Sequence, residues 1–315
     1  MAADLALLLL GLGILIGAGD VLVRGAVGVS LRLRIPALIV SLVVVAAGTT
    51  APELVISVRA LADGLPGLAL GNVVGSNIAN SLLVIGLPAL IAGFAKPDTE
   101  SRRSYLRLVG AVALFSGFML SGRIGASGAA LLLLALVLVL FDTVRHALTR
   151  RTGPETEPAA DLPGNAATPA WQLAGMLVLG FLGLAFGADL LVASAERIAV
   201  TLGIAPAVIG LSIVAIGTSL PELATAITAG LKGRGDVALG NVIGANIYNL
   251  LGITGVASLA GDMQVPDRFA GTELWVLWAA TAALAPLALF GRPLGRAAGL
   301  ALTGGYLVYL VVLVG

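Results

Sequence analysis

Two carboxylates in this chain stand where a carboxylate is costly. Glu53 lies near the middle of an apolar run at about 35–61, and Glu222 near the middle of another at about 203–230. An ionised carboxylate in such surroundings costs several kcal/mol unless it meets a partner or a wet cavity. Neither run carries a Lys or Arg at comparable depth. The natural partner is therefore a cation. The neighbours point the same way. Pro52 and Pro221 immediately precede the two glutamates, and Thr49, Thr50, Thr218 and Ser219 stand about one turn before them. Proline lacks an N–H and clashes with the carbonyl four residues earlier, so carbonyls near Gly48–Thr49 and Gly217–Thr218 are expected to lose their helical partners. Thr49 and Glu53 share a helix face by their spacing of four.

The next apolar runs carry GNVVGSNIANS from Gly71 and GNVIGANIYN from Gly240. Ser76 and Asn80 are four apart and share a face. Asn80 and Asn249 are expected to be ligands. Asn72, Asn77, Asn241 and Asn246 are expected to bond neighbouring helices. The small pairs Gly71/Gly75 and Gly240/Gly244 are expected to let helices approach closely. Each set thus offers a carboxylate, hydroxyls, freed carbonyls and an amide oxygen. All are hard donors. Ca²⁺ takes six to eight such oxygens in flexible geometry, whereas Mg²⁺ demands a tighter octahedron. Soft transition metals call for Cys, His or Met, and none stands in these segments. Two carboxylates neutralise one divalent ion; with the neutral oxygens they also suit sodium ions, or protons.

The elements that must position these groups are membrane helices. The chain has 315 residues, of which 58% are hydrophobic and only 11% charged, and its mean hydropathy is +1.05. A soluble domain is about one quarter charged. Disorder is excluded by the apolar content. The balance of 18 basic against 17 acidic residues leaves no footprint for nucleic acid. No cysteine is present, so disulfides and thiolate chemistry are excluded. A bilayer-crossing helix needs ~20 mostly apolar residues. Ten candidates occur, at roughly 4–23, 35–61, 67–94, 105–121, 125–145, 171–193, 203–230, 237–260, 271–290 and 294–314. The polar stretch 147–170 reads as a linker between halves at 1–146 and 171–315. Fourteen of the 18 Lys and Arg residues fall on the side that bears this linker. Positive charge stays cytoplasmic, so the linker is expected in the cytoplasm and both termini outside.

The halves are copies. GTTAPEL at 48–54 returns as GTSLPEL at 217–223, and ALGNVVGSNIAN at 69–80 as ALGNVIGANIYN at 238–249. Residues 46–86 and 215–255 share 19 identities in 41 ungapped pairs, at an offset of 169. The shared residues include Gly, Asn, Pro, Thr and Glu, which chance likeness of apolar helices would not favour. Five spans separate equivalent points. An odd number inverts the second copy, giving two five-helix repeats about an axis in the membrane plane with the site at their interface. The fold class is therefore all-α and polytopic, with ten transmembrane helices. The sequence has no nucleophile motif, phosphate loop or cofactor fingerprint, so an intramembrane enzyme using the two carboxylates is disfavoured.

These paired motifs resemble the α-repeats of the calcium/cation antiporter superfamily, nearest to its prokaryotic sodium/calcium exchanger group, over essentially the whole chain. The resemblance implies two inverted five-helix halves and electrogenic exchange of several Na⁺ for one Ca²⁺, with no resident cofactor. It places the central glutamates on Glu53 and Glu222. Backbone and hydroxyl ligands fall on Ala46, Thr49, Thr50, Ala215, Thr218 and Ser219. The third-span serine and amide fall on Ser76 and Asn80. Asn249 takes the last motif position of the eighth span, where some relatives carry an acid. Ala245 stands opposite Ser76, so one hydroxyl is missing. A variant of the same fold coupled to H⁺ or K⁺, or moving another cation, stays open. Outside the motifs, Asp20 is expected to pair with Arg24 at a helix end, and His146 to sit in a solvated loop. Arg102, Arg103 and Arg107 are expected to enforce topology or touch anionic lipid, and Trp275 and Trp278 to lie at the lipid interface.

Overall fold

The structure, a computed structural model, describes residues 2–94, 100–149, 168–202, 217, 219–267 and 269–314. Seven continuous helices among them are long and apolar enough to cross a bilayer, and a helix pair bent by 45° makes an eighth. In chain order, span 1 is Ala2–Leu33 and span 2 is the bent pair Ala37–Thr49 and Ala51–Ala62. Span 3 is Pro66–Ala92, span 4 Glu100–Leu120 and span 5 Ala126–Thr149. Span 6 is Ala170–Thr201. Span 7 is described from Leu220 to Leu231, and its first part, 203–216, lies outside the described residues. Span 8 is Gly235–Ala260, span 9 the kinked segment Phe269–Ala288, and span 10 Arg296–Val314. This is the ten-span inverted repeat, in a multi-pass membrane protein. Large apolar side chains such as Leu9 and Ile16 of span 1 and Val308 and Val311 of span 10 are exposed. In lipid they cost nothing; in water they would form an aggregation-prone patch.

Inversion is visible at the helix ends. The loop after span 3 pairs Phe94 with Leu294, from the loop between spans 9 and 10. The loop after span 8 pairs Met263 with Ile124, from the loop between spans 4 and 5. Phe94 and Met263 are equivalent positions, 169 residues apart. One clamp lies at each end of the molecule.

The core has two parts. Most buried apolar side chains, from spans 2–5 and 7–10 together with Val23 and Val27 of span 1, form one cluster. A smaller cluster joins Leu15, Ala18 and Leu22 of span 1 to Leu184 and Ala188 of span 6, with Val40 and Val45 of span 2. Spans 1 and 6 meet along small residues. A Cβ on Gly11 would stand 2.9 Å from the Leu191 nitrogen, and one on Gly180 would stand 2.8 Å from Leu22 Cβ. Gly11 and Gly180 are equivalent positions of the two copies. Lipid tails are as apolar as Leu, so close backbone approach is what holds such a pair.

Candidate functional site

The local chain explains how each glutamate comes to the centre. Span 2 starts as an α-helix, widens into a π-turn at Ser41–Val45, returns to α at Ala46–Thr49 and breaks at Thr50 (φ −81°, ψ 1°). A π-turn shifts the hydrogen-bond ladder by one residue and frees backbone groups. Span 8 satisfies one of them, since Tyr248 OH donates to the Val43 carbonyl at 2.9 Å. In return Ser41 Oγ donates to the Val237 carbonyl at 2.6 Å. A second helix then starts, with Pro52 in its opening turn and Glu53 beside it. Proline costs nothing there, because its missing N–H would have no partner anyway. The start of a helix favours negative charge. Span 7 repeats this design: Ser219 (φ −89°, ψ 6°) precedes a helix with Pro221 and Glu222 in its first turn. The prolines thus start half-helices that present both carboxylates to the interior.

Glu53 and Glu222 are completely buried, as are Asn80 and Asn249. Glu53 feels the charge of Glu222, and Thr49 lies beside the Glu222 carboxylate. Among the described residues, none of the four carboxylate oxygens has a hydrogen-bond partner, nor does either polar atom of the Asn80 and Asn249 amides, nor Ser219 Oγ. Burying so many polar atoms unpaired is expensive. Ionised carboxylates are acceptors only, so another acceptor cannot satisfy them. Among the described residues the set contains no positive charge.

The threonine hydroxyls turn toward backbone and amide oxygens. Thr50 Oγ1 donates to the Ala46 carbonyl at 2.9 Å, and Thr49 Oγ1 lies 3.4 Å from both that carbonyl and Asn241 Oδ1. A hydroxyl that gives its proton away keeps its lone pairs for a cation. The Ala46 carbonyl is one of the expected ligands, and it also receives the Thr50 N–H at 3.0 Å. Ser76 is 4% exposed and Ser219 2%. Thr218 and Ala215 lie outside the described residues. Asn80 opens the π-turn Asn80–Val84, and Asn249 lies in the π-turn Tyr248–Ile253.

Of the other asparagines, Asn72, Asn241 and Asn246 bond between helices as expected, whereas the Asn77 side chain donates to the Val73 carbonyl of its own helix at 2.7 Å. Asn72 of span 3 donates to the Glu53 carbonyl at 3.0 Å and to Ser57 Oγ at 2.9 Å. Asn246 of span 8 donates to Ser81 Oγ of span 3 at 3.0 Å. Asn72 therefore holds the Glu53 backbone in place. The small pair of span 8 lets it lie directly on span 2: a Cβ on Gly240 would stand 2.4 Å from the Leu38 carbonyl oxygen, and one on Gly244 2.4 Å from that of Leu42.

Three expectations outside the site change. His146 is not in a loop but in the last turn of span 5, with Nδ1 2.8 Å from Arg103 Nη1. Arg103 and Arg107 of span 4 both bond Asp142 of span 5, so they join two helices. Trp275 is exposed, but Trp278 is part-buried and donates to Ser116 Oγ of span 4 at 3.0 Å. The sequence reading missed the π-turns and the span 2–span 8 exchange by Ser41 and Tyr248. Neither motif carries a local signal for them.

The family model for sodium/calcium exchanger proteins matches residues 4–144 and 172–315, which is both halves of the chain. The chain belongs to the sodium/calcium exchanger protein family. This family membership identifies it as a cation antiporter by descent. It is 34% identical to the inner membrane protein YrbG of Escherichia coli, over 98% of this chain and 96% of that one. It is 31% identical to the sodium/calcium exchanger MaX1 of Methanosarcina acetivorans, over 98% and 97%. Its fold matches a solved structure of the sodium-calcium exchanger NCX_Mj, soaked with Na⁺ and Ca²⁺, with a TM-score of 0.83 at 28% identity, covering 98% of each chain.

Proposed function

We propose that this exchanger-family protein moves Ca²⁺ across the membrane in exchange for Na⁺. The observation that carries this is the buried pair Glu53 and Glu222, whose four oxygens have no protein partner among the described residues. Ca²⁺ is neutralised by the two carboxylates, and Thr49, Thr50, Ser76, Ser219, Asn80 and Asn249 add neutral oxygens, with Thr218 and the Ala46 and Ala215 carbonyls completing the set. Sodium ions compete for the same oxygens. Exclusive occupancy couples the two fluxes, and inverted halves give the site access to each side in turn. Spans 1 and 6 pack most extensively on each other, and span 1 also rests on spans 2 and 7. The halves 1–146 and 171–315 flank a cytoplasmic linker, and both termini lie outside, on the charge asymmetry of the loops.

The deciding experiment is calcium uptake into proteoliposomes under an outward sodium gradient, with matched proton and potassium gradients. Uptake driven by sodium alone supports the proposal. No calcium flux under any gradient overturns it. A second reading, coupling to H⁺ or K⁺, has two observations behind it: Ala245 lacks the hydroxyl that Ser76 supplies in the other half, and Asn249 is neutral. Uptake that persists without sodium and collapses with the proton or potassium gradient selects it. Asn249→Asp tests the same corner. It adds a negative charge to a buried oxygen cluster, so the expected outcome is altered competition among Na⁺, K⁺ and Ca²⁺ with transport retained. Unchanged ion competition would remove Asn249 from the ligand set.

A further inference from the structure

The repeat offset exposes a charge asymmetry between the span 1–span 7 contact and its counterpart between spans 6 and 2. On the linker side, span 1 lies against span 7: a Cβ on Gly19 would stand 3.0 Å from Thr228 Oγ1 and 3.2 Å from the Ala224 carbonyl oxygen. One residue further, Asp20 binds Arg24 of its own helix at 2.6 Å and also Lys232, which caps the end of span 7. Lys232 is 18% exposed and Asp20 31%, so the bond between the spans is partly withdrawn from water. A cation at a helix C-terminus is favoured as well.

The equivalent positions in the other copy are Asp189 for Asp20 and Asp63 for Lys232. Both are exposed, and Asp63 has only the loose contact to Arg59 at 3.7 Å as its ion pair among the described residues. Span 6 does not pack along Ala51–Ala62 as span 1 packs along Leu220–Leu231. One contact is thus closed on the linker side, and its counterpart is open on the side of the termini. Exchanging the conformations of the two halves would separate Asp20 from Lys232 and bring Asp63 toward Asp189. An attraction would be lost and a repulsion gained.

We propose that the Asp20–Lys232 ion pair is a one-sided latch that holds the linker side of the transporter shut. The acid–acid combination at the equivalent place denies the other side such a latch, so the two access states differ in energy. This rests on the alternating-access reading above, but not on which ions are exchanged. Removing Lys232 is a clean change, because Asp20 keeps Arg24 and is not left unpaired.

The chain has no cysteine, so a single reporter can be placed directly. Thr228→Cys sits in the span 1–span 7 contact, and a membrane-impermeant maleimide is applied from the linker side to the reconstituted protein. Lys232→Gln and Asp20→Asn are each expected to speed labelling roughly two- to fivefold, the shift expected for loss of an ion pair of this exposure. Lys232→Arg is expected to keep the slow rate, and the double variant to label no faster than either single one. Asp63→Lys, which creates an opposite-charge pair with Asp189, is expected to speed labelling too. If labelling depends on the Na⁺ and Ca²⁺ gradients but is equal in wild type, Lys232→Gln and Asp20→Asn, the latch is overturned and alternating access stands. If labelling ignores every gradient, both fall.

Discussion

Glu53→Gln and Glu222→Gln should each abolish calcium exchange while leaving the protein folded and inserted. Glutamine keeps the volume of the side chain and removes one of two charges. A divalent ion is then half-neutralised in a buried site, and leaving a buried charge without its partner costs ~3–5 kcal/mol. At 1.4 kcal/mol per tenfold, affinity and flux should fall by about a hundredfold or more. Stability without ions should hold or rise, since an unpaired buried carboxylate has been removed. Flux into proteoliposomes and elution as a monodisperse species in detergent are the two measurements. Wild-type flux in either variant would take the ion away from the glutamate pair.

The second large effect is structural. Gly244→Ala would place a Cβ 2.4 Å from the Leu42 carbonyl oxygen and 2.6 Å from Ala46 Cβ. Two of the obstacles belong to the chain of span 2 itself, so no rotamer change relieves them, and spans 2 and 8 must separate. Overpacking typically costs 1–3 kcal/mol, and the upper part of that range, about 3 kcal/mol, is expected here. Thermal unfolding in detergent should start several degrees lower. Transport should suffer more than stability, because the face being displaced bears Ala46 and Thr49. Gly110→Ala is the control, since a Cβ there meets nothing within 4 Å. If Gly244→Ala unfolds and transports like Gly110→Ala, the tight crossing of spans 2 and 8 is not what holds the site together.

Much of this was legible in the sequence for a specific reason. A bilayer forces every span to be apolar, so Glu53, Glu222 and the Gly-Asn runs stand out against a uniform background, and duplication writes the signal twice. The proline-started half-helices followed from the backbone chemistry of Pro52 and Pro221. What was not legible depends on packing across large sequence distances. Span 1 continues past Arg24 to Leu33, and Asp20 draws it against span 7 through Lys232, 212 residues away. The apolar run alone ended a turn or more too early. The π-turns at Ser41, Asn80 and Tyr248 cost hydrogen bonds locally and are sustained by partners such as Tyr248 on Val43. His146 looked like a loop residue because the polar linker seemed to start at it; its contact with Arg103 is what keeps the helix going.

The length of spans 1 and 6 has a consequence for the lipid. Each is a helix of 32 residues. At 1.5 Å per residue each is about 48 Å long, against a hydrocarbon layer of ~30 Å. Such rods must lean or protrude, and how far they do so depends on the thickness of the bilayer. They also pack more extensively on each other than on any other helix, so membrane thickness acts on a paired unit. Acyl-chain length is thereby expected to act as a mechanical input to turnover, without any lipid entering a binding site.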